Sequence, residues 1–185
     1  MAGSSTGLLA GIDRERSVPL RGRITRQIAA CCIARLIVLA TEHPERPIII
    51  YIDSPGGGVA DVLPIVSTIK GIKSPLATFV RGEASGTAAV VAASGSPGCR
   101  SAIANAHFSF KPVSSAKSQR GTASDEGFVS VLSDILSEAV RRPKTEVQAW
   151  ITSGVQFGAS EAQTNGLIDS ISARPVMPRL GPDTQ

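Results

Sequence analysis

Aromatic side chains are scarce in this chain of 185 residues: they make up 4% of it, with one Trp, one Tyr and five Phe. Base-stacking platforms need aromatic faces, so this scarcity argues against single-strand nucleic-acid binding. Cysteine is equally sparse, an adjacent pair at Cys31 and Cys32 and a separate Cys99. That spacing fits neither a metal site nor a disulfide framework, and it reads as small buried thiols in a reducing compartment. Nothing in these residues calls for a metal or a cofactor. The longest apolar runs, such as Ile48-Ile49-Ile50-Tyr51-Ile52, fall far short of the ~20 residues of a membrane span. The first residues carry no basic segment followed by an apolar stretch, so no secretory signal is read there. What is present is a hydrophobic content of 42% against 18% charged residues, with a mean hydropathy of +0.13. Those values exclude a disordered polar chain and predict one soluble, cytoplasmic domain with a substantial core.

The net charge is +4, and Arg14, Arg16, Arg21, Arg23 and Arg26 crowd the first part of the chain. No nucleic-acid motif accompanies them, so they read as a solvated basic arm and helix edge.

Residues 1–18 lack a sustained period and read as a flexible arm, residues 19–172 as the folded domain, and residues 173–185 as a proline-rich tail. Ile24, Ile28, Cys32, Ile33, Leu36, Ile37 and Ala40 recur at helical spacing, and His43-Pro44 stops that helix. Pro47–Asp53 is a β-branched run of the kind buried on both faces of a sheet. A helix from Val59 to Lys70, a strand over Leu76–Arg81, a helix ending near Ser94 and a strand over Ala106–Lys111 follow. This alternation predicts an α/β fold with a largely parallel sheet. Phe128, Val131, Leu132, Ile135, Leu136 and Ala139 mark a further helix, with Ser124 as N-cap, Asp125 and Glu126 in its first turn and Pro143 as its stop. A short helix over Ser160–Asn165 is expected to end on a left-handed Gly166.

Two glycine-rich turns carry the chemistry. Ser54-Pro55-Gly56-Gly57-Gly58 joins a strand to a helix, and backbone amides in such a turn can converge on an oxyanion. It is no nucleotide loop, since no Gly-Lys-Ser/Thr follows it. Gly82-Glu83-Ala84-Ser85-Gly86-Thr87 opens the next helix, where the hydroxyl of Ser85 or Thr87 would stand in the place of an acyl-transfer nucleophile.

In this order the two turns, together with Ala92-Ala93, Gly95, Gly98, Arg100, Asn105 and the segments Ala159–Ala162 and Gly166–Asp169, make the chain resemble the Clp protease proteolytic subunit family, ClpP. The resemblance spans roughly Arg16 to Ile171. It implies the ClpP/crotonase fold of repeated ββα units with a protruding handle helix, here about residues 113–142. It also implies a homo-oligomer of heptameric rings stacked through that handle into a tetradecamer, either alone or mixed with active ClpP subunits.

The family cuts peptides with a Ser–His–Asp triad, and here those three positions read Gly86, Lys111 and Trp150. Without a base and a carboxylate to orient it, the triad mechanism cannot run. His43 lies in a helix-stopping turn, and His107 is roughly 13 Å along an extended strand from Lys111. The oxyanion-hole positions retain Gly56 and Gly57, with Thr87 beside them. At the positions matching the family's aromatic docking sites for its ATPase, Tyr51 is kept, while Ile49 and Gly71 depart from the pattern and argue against ATPase engagement. Two readings follow. In one the chain is a catalytically inactive subunit with a structural or regulatory role. In the other it is a divergent serine hydrolase using Ser85 with Lys111, whose amine would need burial to lower its pKa. A third, the acyl-CoA chemistry of the crotonase branch, lacks a CoA-binding pattern.

Overall fold

A computed structural model of the chain describes residues 16–110 and 123–178, with the side chains of residues 123–125 outside that description. Most of the expected arm, Lys111 and the first part of the expected handle therefore lie outside the described residues, as does the side chain of Ser124; its helix begins at Ala123, so the expected cap falls inside it.

The sheet is built around two strands. β2 (Ile48–Ser54) is buried along nearly its whole length, and β3 (Leu76–Ser85) runs parallel beside it. β1 (Ser17–Arg21) pairs with the outer edge of β2 in parallel, taking in two residues of the expected arm because Val18 and Leu20 alternate into the core. Arg16 anchors its start by donating to the carbonyls of Pro47, His43 and Arg46. Two strands share the far side of β3. Thr78–Val80 pairs with β4 (Arg100–Ala102), and Glu83–Ser85 pairs with β5 (His107–Ser109). β3 thus forks the sheet, and the segment expected to be a glycine turn at Gly82–Ser85 is a continuation of the strand. The continuation is possible because Gly82 passes Asp53 closely, where a Cβ would lie 2.7 Å from Oδ1, and the Glu83 amide donates to that same oxygen.

One face of the sheet carries the helices. α1 (Arg26–Glu42) starts on the Thr25 hydroxyl, which accepts from the Ile28 amide, and buries Ala29, Cys32, Leu36 and Leu39. α2 (Val59–Gly71) buries Val59, Val62, Ile65, Val66 and Ile69, and every residue of the short α3 (Thr87–Ala93) is buried. Small Ala and Val side chains allow α3 to sit deep against the sheet. Burial pushes the Cys32 thiol up to about 11, while Cys31 is exposed. α4 (Ala123–Val140) ends on Arg141, which takes φ +56°, so the helix stops before the expected Pro143. α5 (Lys144–Ser153), β6 (Gln156–Gly158) and α6 (Ala159–Thr164) follow, then β7 (Ser170–Ile171), which closes the sheet beside β4. Gly166 is left-handed at φ +80°, as expected, and packs so tightly that a Cβ would meet the Val140 carbonyl at 2.8 Å.

Arg100 locks these pieces together. Its guanidinium donates to both carboxylate oxygens of Asp169 (Nε at 3.0 Å, Nη2 at 2.6 Å) and to the carbonyls of Ala93 and Ala139. Burial alone would raise the Asp169 carboxyl, but the hydrogen bonds and charge of Arg100 outweigh it and hold the pKa below its ordinary 3.8. A carboxyl whose pKa falls on folding adds stability above its unfolded pKa and loses it as pH drops through the lower folded value. Arg100→Ala is expected to cost about 3–5 kcal/mol, read from denaturant midpoints at neutral pH. Asp169→Asn should remove this pair's share of the acid-side stability loss, which below the ordinary carboxylate range would otherwise steepen the pH profile.

Candidate active site

The glycine turn and the start of α3 are held face to face by the β2–β3 pairing. Gly56 adopts φ +86°, and its Cα passes so near β3 that a Cβ would lie 2.5 Å from the Ser85 carbonyl. Gly57 is tighter still: a Cβ would fall 2.0 Å from the Ile24 carbonyl, at a parallel bridge between those two residues. Both glycines are therefore required by close backbone approach. Their amides are already engaged within the chain. The Gly56 amide donates to the Ser54 hydroxyl at 3.0 Å, and the Gly57 amide donates to the Thr87 hydroxyl at 2.9 Å.

Gly86 forms the corner between β3 and α3 with φ +56° and ψ −121°, and its amide donates to the Ser109 carbonyl at 2.6 Å. Hydrolases raise a nucleophile on strand-to-helix corners of this kind. Here the corner carries no side chain, although a Cβ there would meet nothing within 4 Å. Ser85, one residue earlier, is fully buried. Its hydroxyl donates to Glu83 Oε1 at 2.5 Å and accepts from the Ser109 hydroxyl at 2.6 Å, so a carboxylate and a second serine enclose it.

Trp150 lies on α5 and is buried. Its ring meets Phe157 of β6 edge-on at 5.3 Å and Phe110, at the end of β5, at 6.1 Å. Phe110 and Phe157 also meet edge-on, at 6.3 Å. Three aromatic rings, two of their three contacts edge-to-face, thus fill the space between β5, β6 and α5. The sequence reading singled out Trp150 alone. Phe110 and Phe157 were visible only as aromatic residues in a chain that has few, and the Ser85–Ser109 contact left no local signal, whereas Thr87 was expected beside Gly56 and Gly57 and its hydroxyl lies against Gly57.

Ile49 and Tyr51 share the other face of β2. Ile49 is buried with Ala77 and Cys99, and Tyr51 packs against them. Tyr51 meets Phe79 edge-on at 6.0 Å, and Arg81 sits 5.7 Å from its ring centre. The exposed Gly71 ends α2, whose buried residues pack in the core on the opposite face, so it is not joined to that pair.

A family model described as Clp protease matches residues 4–175. The chain belongs to the Clp protease family. It is 33% identical over 169 residues, 86% of this chain and 84% of the relative, to the ATP-dependent Clp protease proteolytic subunit 2 of Streptomyces avermitilis. The parallel sheet with its helices is consistent with the ClpP/crotonase fold expected from the sequence. Among the described residues, no helix is long and apolar enough to cross a membrane.

Trp150→Asp would place a carboxylate among Phe110 and Phe157. It is expected to cost at least about 3 kcal/mol in a denaturant titration. Gly57→Ala should be more damaging than Gly86→Ala in the same titration, because Gly57 faces backbone at 2.0 Å while Gly86 faces open space. At Gly86 the cost is confined to backbone strain of roughly 1–3 kcal/mol.

Proposed function

We propose that this Clp protease family subunit is catalytically silent and serves a structural or regulatory role in a Clp-type barrel, as heptameric rings stacked through the handle, alone or together with active subunits. The observation that carries this reading is the aromatic cluster at Trp150. Where the family's mechanism requires a carboxylate to orient a base, this chain packs an indole between two phenyl rings. The bare corner at Gly86 supports the same reading. So does Ser85, whose burial and contacts with Glu83 and Ser109 leave its hydroxyl no approach to a substrate.

Assembly is supported by apolar surface left uncovered on a single chain. Ile37 and Val38 on α1 and Val131 on α4 are exposed. A groove of about 450 Å³ between β1 and α1 is lined by Val18, Pro19, Ile28 and both vicinal cysteines. Exposed patches of this kind mark interfaces. The replacement of the aromatic docking positions by Ile49 and Gly71 favours a subunit that does not itself engage a Clp-type ATPase. A cytoplasmic location fits this reading.

Treatment with a fluorophosphonate, followed by intact mass, separates the silent subunit from a divergent hydrolase that pairs Ser85 with Lys111. No adduct is expected on folded, assembled protein. A stoichiometric adduct lost in Ser85→Ala would overturn the proposal. Native mass is expected to give a multiple of the 19.1 kDa chain; a monomer at every concentration would remove the barrel.

A further inference from the structure

An oxyanion hole works because its amide protons have no better partner until charge develops in front of them. In this chain the second glycine of the turn does not meet that condition. The Gly57 amide donates to Thr87 Oγ1 at 2.9 Å, and the same hydroxyl donates back to the Gly57 carbonyl at 3.1 Å. Both backbone groups of Gly57 are thus satisfied by one side chain, the residue immediately after the bare corner at Gly86. The preceding amide, that of Gly56, is taken by Ser54, whose own hydroxyl donates to the Gly22 carbonyl at 2.6 Å. Thr87 is buried, with 6% of its surface exposed, and it stands in the first turn of α3. As a β-branched residue in a helix it has few rotamers. Turning Oγ1 away from Gly57 would break both hydrogen bonds.

We propose that the Thr87 hydroxyl is a built-in occupant of the Gly57 amide, an autoinhibitory contact that closes the glycine turn to any carboxylate or acyl oxygen. The inference rests on the reading of a silent site and adds to it. Besides lacking its nucleophile, the site has its oxyanion donor withdrawn, and a serine restored at Gly86 would face an amide already in use. The Thr87 hydroxyl can satisfy the amide and the carbonyl of Gly57 together because it both accepts and donates.

The test follows the Gly57 amide itself, in the full-length assembled protein labelled with ¹⁵N-glycine. Its hydrogen-exchange rate and its response to sodium formate, a small carboxylate probe, are recorded for the wild type, Thr87→Ser, Thr87→Ala and Thr87→Val. In the wild type and Thr87→Ser the amide is expected to be protected and unmoved by formate. Thr87→Ala should speed its exchange by roughly tenfold and make formate shift its resonance saturably. Thr87→Val, which keeps the branched shape without the hydroxyl, should show the faster exchange even if the alanine variant proves unstable. Formate moving the Gly57 resonance in the wild type would overturn the proposal, because the amide would already be open. Unchanged exchange in both Thr87→Ala and Thr87→Val would also overturn it, and so would a Thr87→Ala amide that ignores formate. Peptide hydrolysis by a wild type whose Gly57 amide remains closed would instead sink the silent-subunit reading and leave the contact standing.

Discussion

Two helix ends meet at one guanidinium. Ala93 is the last residue of α3 and Ala139 the last but one of α4, and the carbonyls at such ends lack partners within their own helices and carry the negative end of the helix dipole. Arg100 donates to both and is itself neutralised by Asp169. Asp169 in turn accepts from the Arg100 amide, while the Asp169 amide donates to the Arg100 carbonyl. This reciprocal clamp ties the middle of the sheet to α3, to α4 and to the approach to β7. Because α3 is only seven residues long, fixing its C-terminal end also fixes its first residue, about 10 Å away. That first residue is Thr87, so the placement of its hydroxyl against Gly57 depends on an ion pair at the other end of the helix.

Among the described residues, the candidate site leaves no buried side-chain polar atom without a partner. Removing one member of a buried polar constellation normally exposes the remaining members to the full cost of desolvation. Here the Trp150 indole packs with its neighbours, the Gly86 corner carries no side chain, and the donors of the glycine turn find hydroxyls within the chain. Among the described residues, the buried side-chain polar atoms without a partner are the Tyr51 hydroxyl and the Ser170 hydroxyl. Neither belongs to the glycine turn or to the aromatic cluster. The polar groups of the glycine turn are therefore satisfied within the chain.

Much of the architecture could be read from the residues. The apolar stripes of α1, α2 and α4 and the β-branched run of β2 carry periods long enough to identify them, and Gly166 marks a helix end by its conformational freedom alone. β4, β6 and β7 escaped because two or three residues cannot establish a period; they exist only because neighbouring strands offer partners. α5 was hidden by Pro143, which reads as a stop and is here the residue before a new helix, although Val147, Trp150 and Ile151 carry the right spacing. Gly82 suggested a turn, yet the chain runs straight through it, since the glycine answers to the crowding of Asp53 on the next strand. In the candidate site, Gly86 and Trp150 were singled out from the sequence. Their surroundings were not: Phe110 and Phe157 reach Trp150, and Gly57 reaches Thr87, from distant segments, and only tertiary pairing brings them together.

The single tryptophan of this chain sits at the corner where α5, β5 and β6 converge, and it is almost entirely shielded from water. Its emission is consequently that of one indole in one apolar environment, uncontaminated by any other. A partner that presses on this corner, or a fluctuation that admits solvent to it, would announce itself as a change in colour and intensity, without any label being introduced.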